Sequence, residues 1–370
     1  MNELIQQAIA ANISSLSLAM PEIILTIGIL LIVTIDLLVS GDNKALMTGL
    51  TVATLLAALA SVVSLYDQPA QSLFVGMLAL DPFSLYFKLL VIATTLVVVV
   101  FGLQSSDIDH KYAEFYAVFL TVGLGGFLMA SATNLLMMYL ALELVSIPSF
   151  VLTGYQKHVR RSNEAALKYV VYGGVSSGIM LYGFSLLYGL TGTLDVHEIG
   201  AALASGDVPD VTLFIAATLA MAGFGYKVAS VPFHFWCPDV YQGAPTPVTA
   251  FLSVAPKAVG FAMIARFFYL GLSTFDGVSG EVLGGQWTEL LAVIAAATMT
   301  LGNLTAIWQN TLKRLLAYSS IAHAGYMMMG IVMLSPAGLQ AIMFYTGVYL
   351  FMNLGAFLVV ILIAERTGSE

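Results

Sequence analysis

Four ionisable side chains lie deep within apolar stretches of this sequence. Glu143 is in the run Leu-Ala-Leu-Glu-Leu, Lys227 precedes a proline by five residues, Lys257 directly follows Pro256, and His323 is flanked by small residues. A charge near the centre of a bilayer costs about 2.5–3.5 kcal/mol, so such a residue is a functional hypothesis by default. One acid, two lysines and a histidine can each bind and release a proton, and this mixture is typical of a proton relay.

Glu143 and Lys227 carry opposite charges and predict a coupled pair. At a separation of about 4 Å and an effective dielectric constant of about 20, their attraction would be about 4 kcal/mol, and doubling the separation would halve it. A lysine that moved between two such partners could gain and lose a proton. A static buried ion pair that fixes helix packing is the alternative for this pair. For His323, the alternative is a hydrogen bond across a close helix contact.

The apolar stretch that contains Lys227 is interrupted soon after it. Pro232 lacks a backbone donor and predicts a broken helix, and breaks at membrane depth occur only where the backbone lines protein or a water-filled cavity. Interrupted helices beside ionisable residues recur in transporters. Residues 233–247 are rich in proline and glycine, which predicts a rigid loop. Small residues predict close packing of another helix and are found at Gly173, Gly174, Ser176, Ser177 and Gly178.

The composition places most of this chain in a membrane. Of 370 residues, 59% are hydrophobic and 9% are charged, whereas soluble domains carry roughly 25% charged residues. The net charge of −8 and the lack of a basic stripe exclude a nucleic-acid partner. The single cysteine, Cys237, excludes an internal disulfide and a cysteine-ligated cluster. The five histidines are scattered, and we expect no metal and no bound cofactor in this chain.

Apolar stretches of about 20 residues predict membrane-spanning helices, and this sequence has eleven of them. The predicted spans are 19–40, 45–66, 82–104, 113–131, 133–156, 164–190, 211–233, 245–272, 286–308, 312–335 and 338–364. We expect the short apolar segment 72–81 to lie against the membrane. The fold class is therefore an all-α, polytopic transmembrane helical bundle.

The basic residues of the loops orient this bundle. All the basic residues near these loops lie on one side of the membrane, in the loops after spans 1, 3, 5 and 9 and in the tail after span 11. They are Lys44, Lys111, Lys157, Arg160, Arg161, Lys168, Lys313, Arg314 and Arg366. The positive-inside rule makes this side cytoplasmic. The N-terminus is then periplasmic, and the loop 157–163 is cytoplasmic. Lys88 and Arg266 lie near the outer ends of their spans, and we expect them to snorkel to the interface.

Several long motifs resemble one known family. They include Lys-Val-Ala-Ser-Val-Pro-Phe-His-Phe-Trp from Lys227, Asp-Val-Tyr-Gln-Gly-Ala-Pro-Thr-Pro-Val from Asp239, and Ala-Pro-Lys ending at Lys257. Glu-Ala-Ala-Leu-Lys-Tyr-Val from Glu164 and the run Asn-Thr-Leu-Lys-Arg-Leu-Leu-Ala-Tyr-Ser-Ser-Ile-Ala-His ending at His323 also match. Over essentially its whole length, the chain resembles subunit N of bacterial complex I, an antiporter-like subunit of NADH–quinone oxidoreductase.

This resemblance implies an antiporter-like fold with inverted repeats. The expected segments are the first three spans in 1–112, a first five-helix repeat in 113–272, and the start of the second repeat in 273–370. Family members have further helices and another lysine, so we expect the second repeat to be incomplete and the sequence to be truncated. In the family, the residues matching Glu143 and Lys227 form the coupling pair, and the one matching Lys257 is the central relay.

The resemblance also implies a place in a larger assembly in the bacterial inner (plasma) membrane. The expected partners are other membrane subunits of complex I, including other antiporter-like subunits, together with the lipid bilayer. NADH, FMN, iron–sulfur clusters and quinone are expected on partner subunits or at the level of the complex. Two alternatives remain, a cation/proton antiporter subunit of the Mrp type and a passive membrane scaffold. The loop motif that begins at Asp239 favours subunit N over the Mrp relative.

Overall fold

The computed structural model describes residues 2–39, 41, 43–108, 110–206, 209–274, 281–283 and 287–367. Fourteen α-helices account for most of these residues. In chain order they are α1 (Asn2–Leu18), α2 (Met20–Leu38), α3 (Lys44–Ser64), α4 (Pro82–Gln104), α5 (Tyr112–Ser131), α6 (Leu135–Thr153), α7 (Arg160–Thr191), α8 (Val196–Ser205), α9 (Asp210–Val228), α10 (Trp236–Gly243), α11 (Thr246–Arg266), α12 (Trp287–Ala306), α13 (Leu312–Val332) and α14 (Pro336–Thr367).

Eleven of the described helices are long and apolar enough to cross a membrane, and they correspond one to one with the predicted spans. They are all the helices except α1, α8 and α10, and α11 continues through a π-helical turn, Phe267–Gly271. The all-α, multi-pass architecture is therefore confirmed. The predicted outer limits at 40 and 286 lie outside the described residues. The division into segments ending at 112 and 272 stays a prediction.

The segment 72–81 forms a small sheet of its own. The strands β1 (Gln71–Leu73) and β2 (Leu78–Leu80) pair antiparallel, with Gln71 opposite Leu80. The connection between them contains Gly76, whose φ of +87° is in the region that favours glycine. The chain then enters α4 through a capping box, in which the Asp81 side chain accepts a hydrogen bond from the backbone N–H of Ser84.

The helix α11 forms the centre of the bundle. All 21 of its residues are buried, and it packs against α4, α5, α6, α9, α13 and α14. A polar residue on this helix therefore meets protein on every side and has no contact with lipid. Lys257 lies near the middle of α11 and is 1% exposed, so its ammonium group must find its partners inside the protein.

The small residues of α7 divide between two faces of the helix. A methyl group on Gly173 would lie 2.7 Å from atoms of Phe150 and Tyr226, so this glycine does permit close packing. Gly174 and Gly178, in contrast, are exposed, and a methyl group on either would have nothing within 4 Å of it. The predicted packing role is therefore correct for Gly173, while Gly174 and Gly178 lie on the outer face of the helix, where no other described part of this chain packs.

Candidate functional site

Lys227 lies at the point where α9 ends. The helix ends at Val228, earlier than the predicted limit at 233, because Ala229 adopts a left-handed conformation with φ +59°. The backbone then turns sharply, and the N–H of Ser230 donates to the Gly225 carbonyl at 2.8 Å. The Lys227 side chain is buried at 2% exposure. The break therefore places this ammonium group inside the protein, beside a stretch of irregular backbone.

The nearest partner of Lys227 is a hydroxyl group on α6. Lys227 Nζ donates to Ser146 Oγ at 2.9 Å, and Ser146 is one turn from Glu143 on the same helix. Glu143 is half-buried and interacts electrostatically with Lys227. The structure describes both side chains and has no direct ion pair between them. Glu143 and Lys227 are therefore farther apart than the separation of about 4 Å for which their attraction was calculated. The hydroxyl group of Ser146 contacts the ammonium group instead.

A glycine on α11 makes room for the Lys227 stem. A methyl group on Gly260 would lie 3.4 Å from Lys227 Cγ and 2.9 Å from Val228 Cγ1. Gly260 is three residues after Lys257, and residues at this spacing share one face of a helix. The stem of the first lysine therefore packs about one helical turn from the second. Sequence reasoning missed Gly260, because a glycine in a membrane helix carries no chemical signal of its own.

Lys257 is also held by a serine hydroxyl, this time on α13. Its Nζ donates to Ser320 Oγ, and the Tyr241 hydroxyl lies 3.3 Å from the same oxygen. The ammonium group lies 5.6 Å from the centre of the Tyr241 ring, which permits a cation–π contact. Cys237, one turn before Tyr241 on α10, interacts electrostatically with Lys257. One face of the short helix α10 is therefore directed at the central lysine.

His323 extends this polar connection towards α14. Its Nδ1 lies 2.6 Å from the Tyr345 hydroxyl, and its ring lies 5.2 Å from the ring of Tyr349. Ser320 is one turn before His323 on α13, so both face the same direction. The small neighbour Gly325 instead faces α12, where an added methyl group would lie 2.7 Å from the Met299 nitrogen. The close helix contact and the hydrogen bond of His323 thus occupy different faces of α13.

The structure gives a hydroxyl partner to three of the four predicted site residues, Lys227, Lys257 and His323, and Glu143 lies near the first of them without a direct contact. The hydroxyls of Ser146, Ser320 and Tyr241 were not predicted. Two of them could have been found from spacing, since Ser146 is three residues from Glu143 and Ser320 is three from His323. Serine and tyrosine are common in membrane helices, however, so this spacing alone is a weak signal.

Lys88 and Arg266, which we expected to snorkel to the interface, form ion pairs with Glu22 in the first turn of α2 and with Asp81 at the N-cap of α4, and their reach to the interface stays a prediction. Lys88 Nζ forms a 2.6 Å ion pair with Glu22, and the Lys88 residue is 1% exposed. Arg266 Nη2 donates to both carboxylate oxygens of Asp81 at 2.8 and 2.9 Å, while its Nε donates to the Ala130 carbonyl. Each of these two bases therefore has a carboxylate within 3 Å as its partner. No cluster that could hold a metal ion was found among the described residues.

Comparisons with known proteins identify the family and the fold of this chain. A family profile described as "NADH:quinone oxidoreductase/Mrp antiporter, TM" matches residues 132–370. NADH-quinone oxidoreductase subunit N of Anaeromyxobacter sp. (strain Fw109-5) is 51% identical over 365 residues, which cover 95% of this chain and 70% of that protein. More than two thirds of a curated relative is therefore matched at high identity.

Solved structures share the fold. A chain of respiratory complex I from Thermus thermophilus matches with a TM-score of 0.76 and 33% identity, over 92% of this chain and 70% of that one. A chain of the Mrp complex from Dietzia sp. DQ12-45-1b matches with a TM-score of 0.81 at 22% identity, over 96% and 66% of the two chains. At that lower identity the second match establishes the fold alone.

Proposed function

Since the chain belongs to the subunit N family of NADH-quinone oxidoreductases, we propose that it carries protons across the membrane through Glu143, Lys227, Lys257 and His323. Electron transfer would take place on partner subunits, and this chain would contribute only the proton path. Its partners would be other membrane subunits of the same complex in the inner membrane, with the N-terminus periplasmic. The 51% identity to a subunit N relative supports this proposal over the antiporter alternative.

One observation carries this proposal: the two relay lysines are held by hydroxyl groups, whereas Lys88 and Arg266, which are also buried, are held by carboxylates. Lys227 and Lys257 donate to Ser146 and Ser320. A hydroxyl group can accept a hydrogen bond from an ammonium group or donate one to a neutral amine. A serine partner is therefore compatible with both protonation states of a lysine, as a relay requires.

The carboxylate-held bases supply the contrast. The Lys88–Glu22 and Arg266–Asp81 pairs are at contact distance. Deprotonating Lys88 would leave the buried Glu22 carboxylate without its counter-charge, at a cost of several kcal/mol, and the guanidinium of Arg266 stays protonated in a protein. These pairs are suited to holding helices together. Glu143, which is near Lys227 without touching it, is suited to biasing the charge of that lysine.

The proposed order of transfer follows the contacts. A proton reaches Lys227 at the break after α9, passes to Lys257 across the contact between α9 and α11, and then to His323 along Ser320 and the flanking tyrosines. Moving one charge against 100 mV costs about 2.3 kcal/mol. Partner subunits that reduce quinone would supply this energy, and changes in the field at Glu143 would couple the two processes.

The test is Lys227→Ala in the assembled complex. We expect proton pumping to be lost or strongly reduced and coupled quinone reduction to slow, while the chain still inserts. Lys157→Ala is the matched control, because Lys157 is an exposed loop lysine and the same substitution should leave pumping intact. Normal pumping by a well-assembled Lys227→Ala complex would refute the relay.

A second pair of variants tests the role of Glu143. Glu143→Gln removes the charge and should resemble Lys227→Ala, whereas Glu143→Asp keeps a carboxylate of shorter reach and should be milder. If both variants pump as well as the unaltered complex, the acid contributes to packing alone. If Glu143→Asp is as inactive as Glu143→Gln, the position of the carboxylate matters as much as its charge.

A further inference from the structure

Asp239 on α10 binds two helices that are far apart in the sequence. Its Oδ2 accepts from Lys168 Nζ of α7 at 2.6 Å, and its Oδ1 accepts from Arg314 Nη1 of α13 at 2.6 Å. Lys168 also pairs with Glu164 at 2.8 Å, and Arg314 donates from its Nε to Gln309 at 3.1 Å. One carboxylate thus joins α7 and α13 through the short helix between them.

The same helix touches the backbone beside one relay lysine and the side chain of the other. Trp236, at the start of α10, donates from Nε1 to the carbonyl of Tyr226, the residue before Lys227, at 3.0 Å. Tyr241 and Cys237 lie beside Lys257. The eight residues of α10 therefore connect Asp239, Lys227 and Lys257 within two helical turns.

The opposite side of α10 is packed with little free space. A methyl group on Gly243 would lie 2.5 Å from Ala165 Cβ and 2.7 Å from the Arg161 carbonyl oxygen. A helix of this length has little stability of its own, so its position depends on such contacts. Burial raises the pKa of Asp239, but the ion pairs with Lys168 and Arg314 outweigh this effect and hold the pKa below its usual value. Asp239 is therefore a carboxylate at neutral pH.

We propose that Asp239 is a positioning residue that holds α10 against Lys227 and Lys257, and that releasing its two ion pairs lets α10 move away from Lys257. This inference rests on the proposed relay for its consequence, which is that proton transfer between the lysines depends on a carboxylate that touches neither. Isolated ion pairs at partly exposed positions contribute little stability. A carboxylate that joins two helices through a third element acts on their relative position instead.

The only cysteine of the chain provides a direct readout of this position. Cys237 is fully buried on α10, two residues before Asp239. Burial raises the pKa of its thiol, and the charge of Lys257 partly offsets this effect. A buried thiol that is mostly protonated reacts slowly. Its alkylation by N-ethylmaleimide should therefore report the transient movement of α10 into water.

The experiment compares alkylation of Cys237 in the purified, assembled complex, measured on this chain by mass spectrometry. Asp239→Asn should speed alkylation about tenfold, as expected for two partly screened ion pairs of up to about 1 kcal/mol each. It should also lower the number of protons pumped per quinone reduced. Asp239→Glu should restore both values in part, because it retains the charge. Glu114→Gln, which removes a carboxylate from the exposed pair with Lys111, should change neither.

The outcomes separate this inference from the proposed function. Unchanged alkylation in Asp239→Asn would refute the positioning role, whatever Lys227→Ala does. Faster alkylation with an unchanged proton ratio would refute its link to transfer. If Lys227→Ala pumps normally, the relay fails, while the alkylation of Cys237 still tests the position of α10. If Asp239→Asn does not assemble, Arg314→Gln, which removes the charge of one of the two ion pairs, takes its place, and unchanged alkylation in that variant would likewise refute the inference.

Discussion

Replacing Gly260 by alanine should disturb proton transfer without removing any ionisable group. The new methyl group would lie 2.9 Å from Val228 Cγ1 and 3.4 Å from Lys227 Cγ. Carbon atoms pack best at about 3.5–4.0 Å, so Val228 must move by up to about 1 Å and Lys227 by a few tenths. Overpacking of this kind costs about 1–3 kcal/mol, and the higher helix propensity of alanine returns up to about 1 kcal/mol.

The fall in proton flux should be larger than the loss of stability alone would produce. A displacement of about 1 Å near reacting groups can reduce a rate by about 100-fold, and Lys227 needs to move by less than this. We therefore expect proton flux through the Gly260→Ala complex to fall about tenfold while assembly is preserved. The assay is the number of protons pumped per quinone reduced in proteoliposomes, together with the melting temperature of the complex.

Two further glycines serve as controls for this substitution. Gly174→Ala places a methyl group in open space on α7 and should change neither quantity. Gly183→Ala places one 2.8 Å from the Ala216 carbonyl oxygen, a contact between α7 and α9, and should lower the melting temperature alone. If Gly260→Ala pumps normally, or if Gly183→Ala lowers the proton ratio equally, the contact between Gly260 and Lys227 has no special role.

Two other predictions concern the bundle. Lys88→Met leaves Glu22 buried without its counter-charge and should destabilise the chain by about 3–5 kcal/mol, whereas adding Glu22→Gln should recover most of this loss. Thermal unfolding in detergent measures the stability of the single and the double variant. Additive effects of the two substitutions would contradict the pairing. A cysteine introduced at Arg160 should react with an impermeant reagent from the cytoplasmic side only, and one at Gly206 from the opposite side; the reverse pattern would overturn the orientation.

The spans could be predicted from the sequence because a bilayer imposes one rule on every helix. A run of about 20 apolar residues satisfies the backbone internally and faces lipid, so length and hydropathy were enough to locate all eleven. The end of α9 was harder to predict from the sequence. Proline suggested a break at Pro232, but Ala229 ends the helix earlier by adopting positive φ. That conformation depends on the contacts of Trp236 and Ser230 with the preceding turn, which no local pattern encodes.

The identities of the candidate site residues were predictable, but their partners were not. Buried charge is conspicuous in an apolar sequence, so Lys227 and Lys257 could be selected at once. Their partners are 81 and 63 residues away, and the sequence offers many hydroxyls at such distances. The same holds for Lys88 and Arg266: a position near the ends of their spans predicted snorkelling, and only the fold brings Glu22 and Asp81 into contact with them.

In the proposed relay, the partner of a buried base decides whether the charge of that base can change. A base paired with a carboxylate keeps its charge through the cycle, so Lys88 and Arg266 can provide a fixed frame for α2, α4 and α11. A lysine held by serine is not constrained to keep its charge. The acid near Lys227 is Glu143, and it does not contact the lysine. A change in the distance between Glu143 and Lys227 then alters the charge of the lysine without breaking a hydrogen bond to it. In the proposed relay, Ser146 can accept from the charged lysine and donate to the neutral one, so one hydroxyl serves both states.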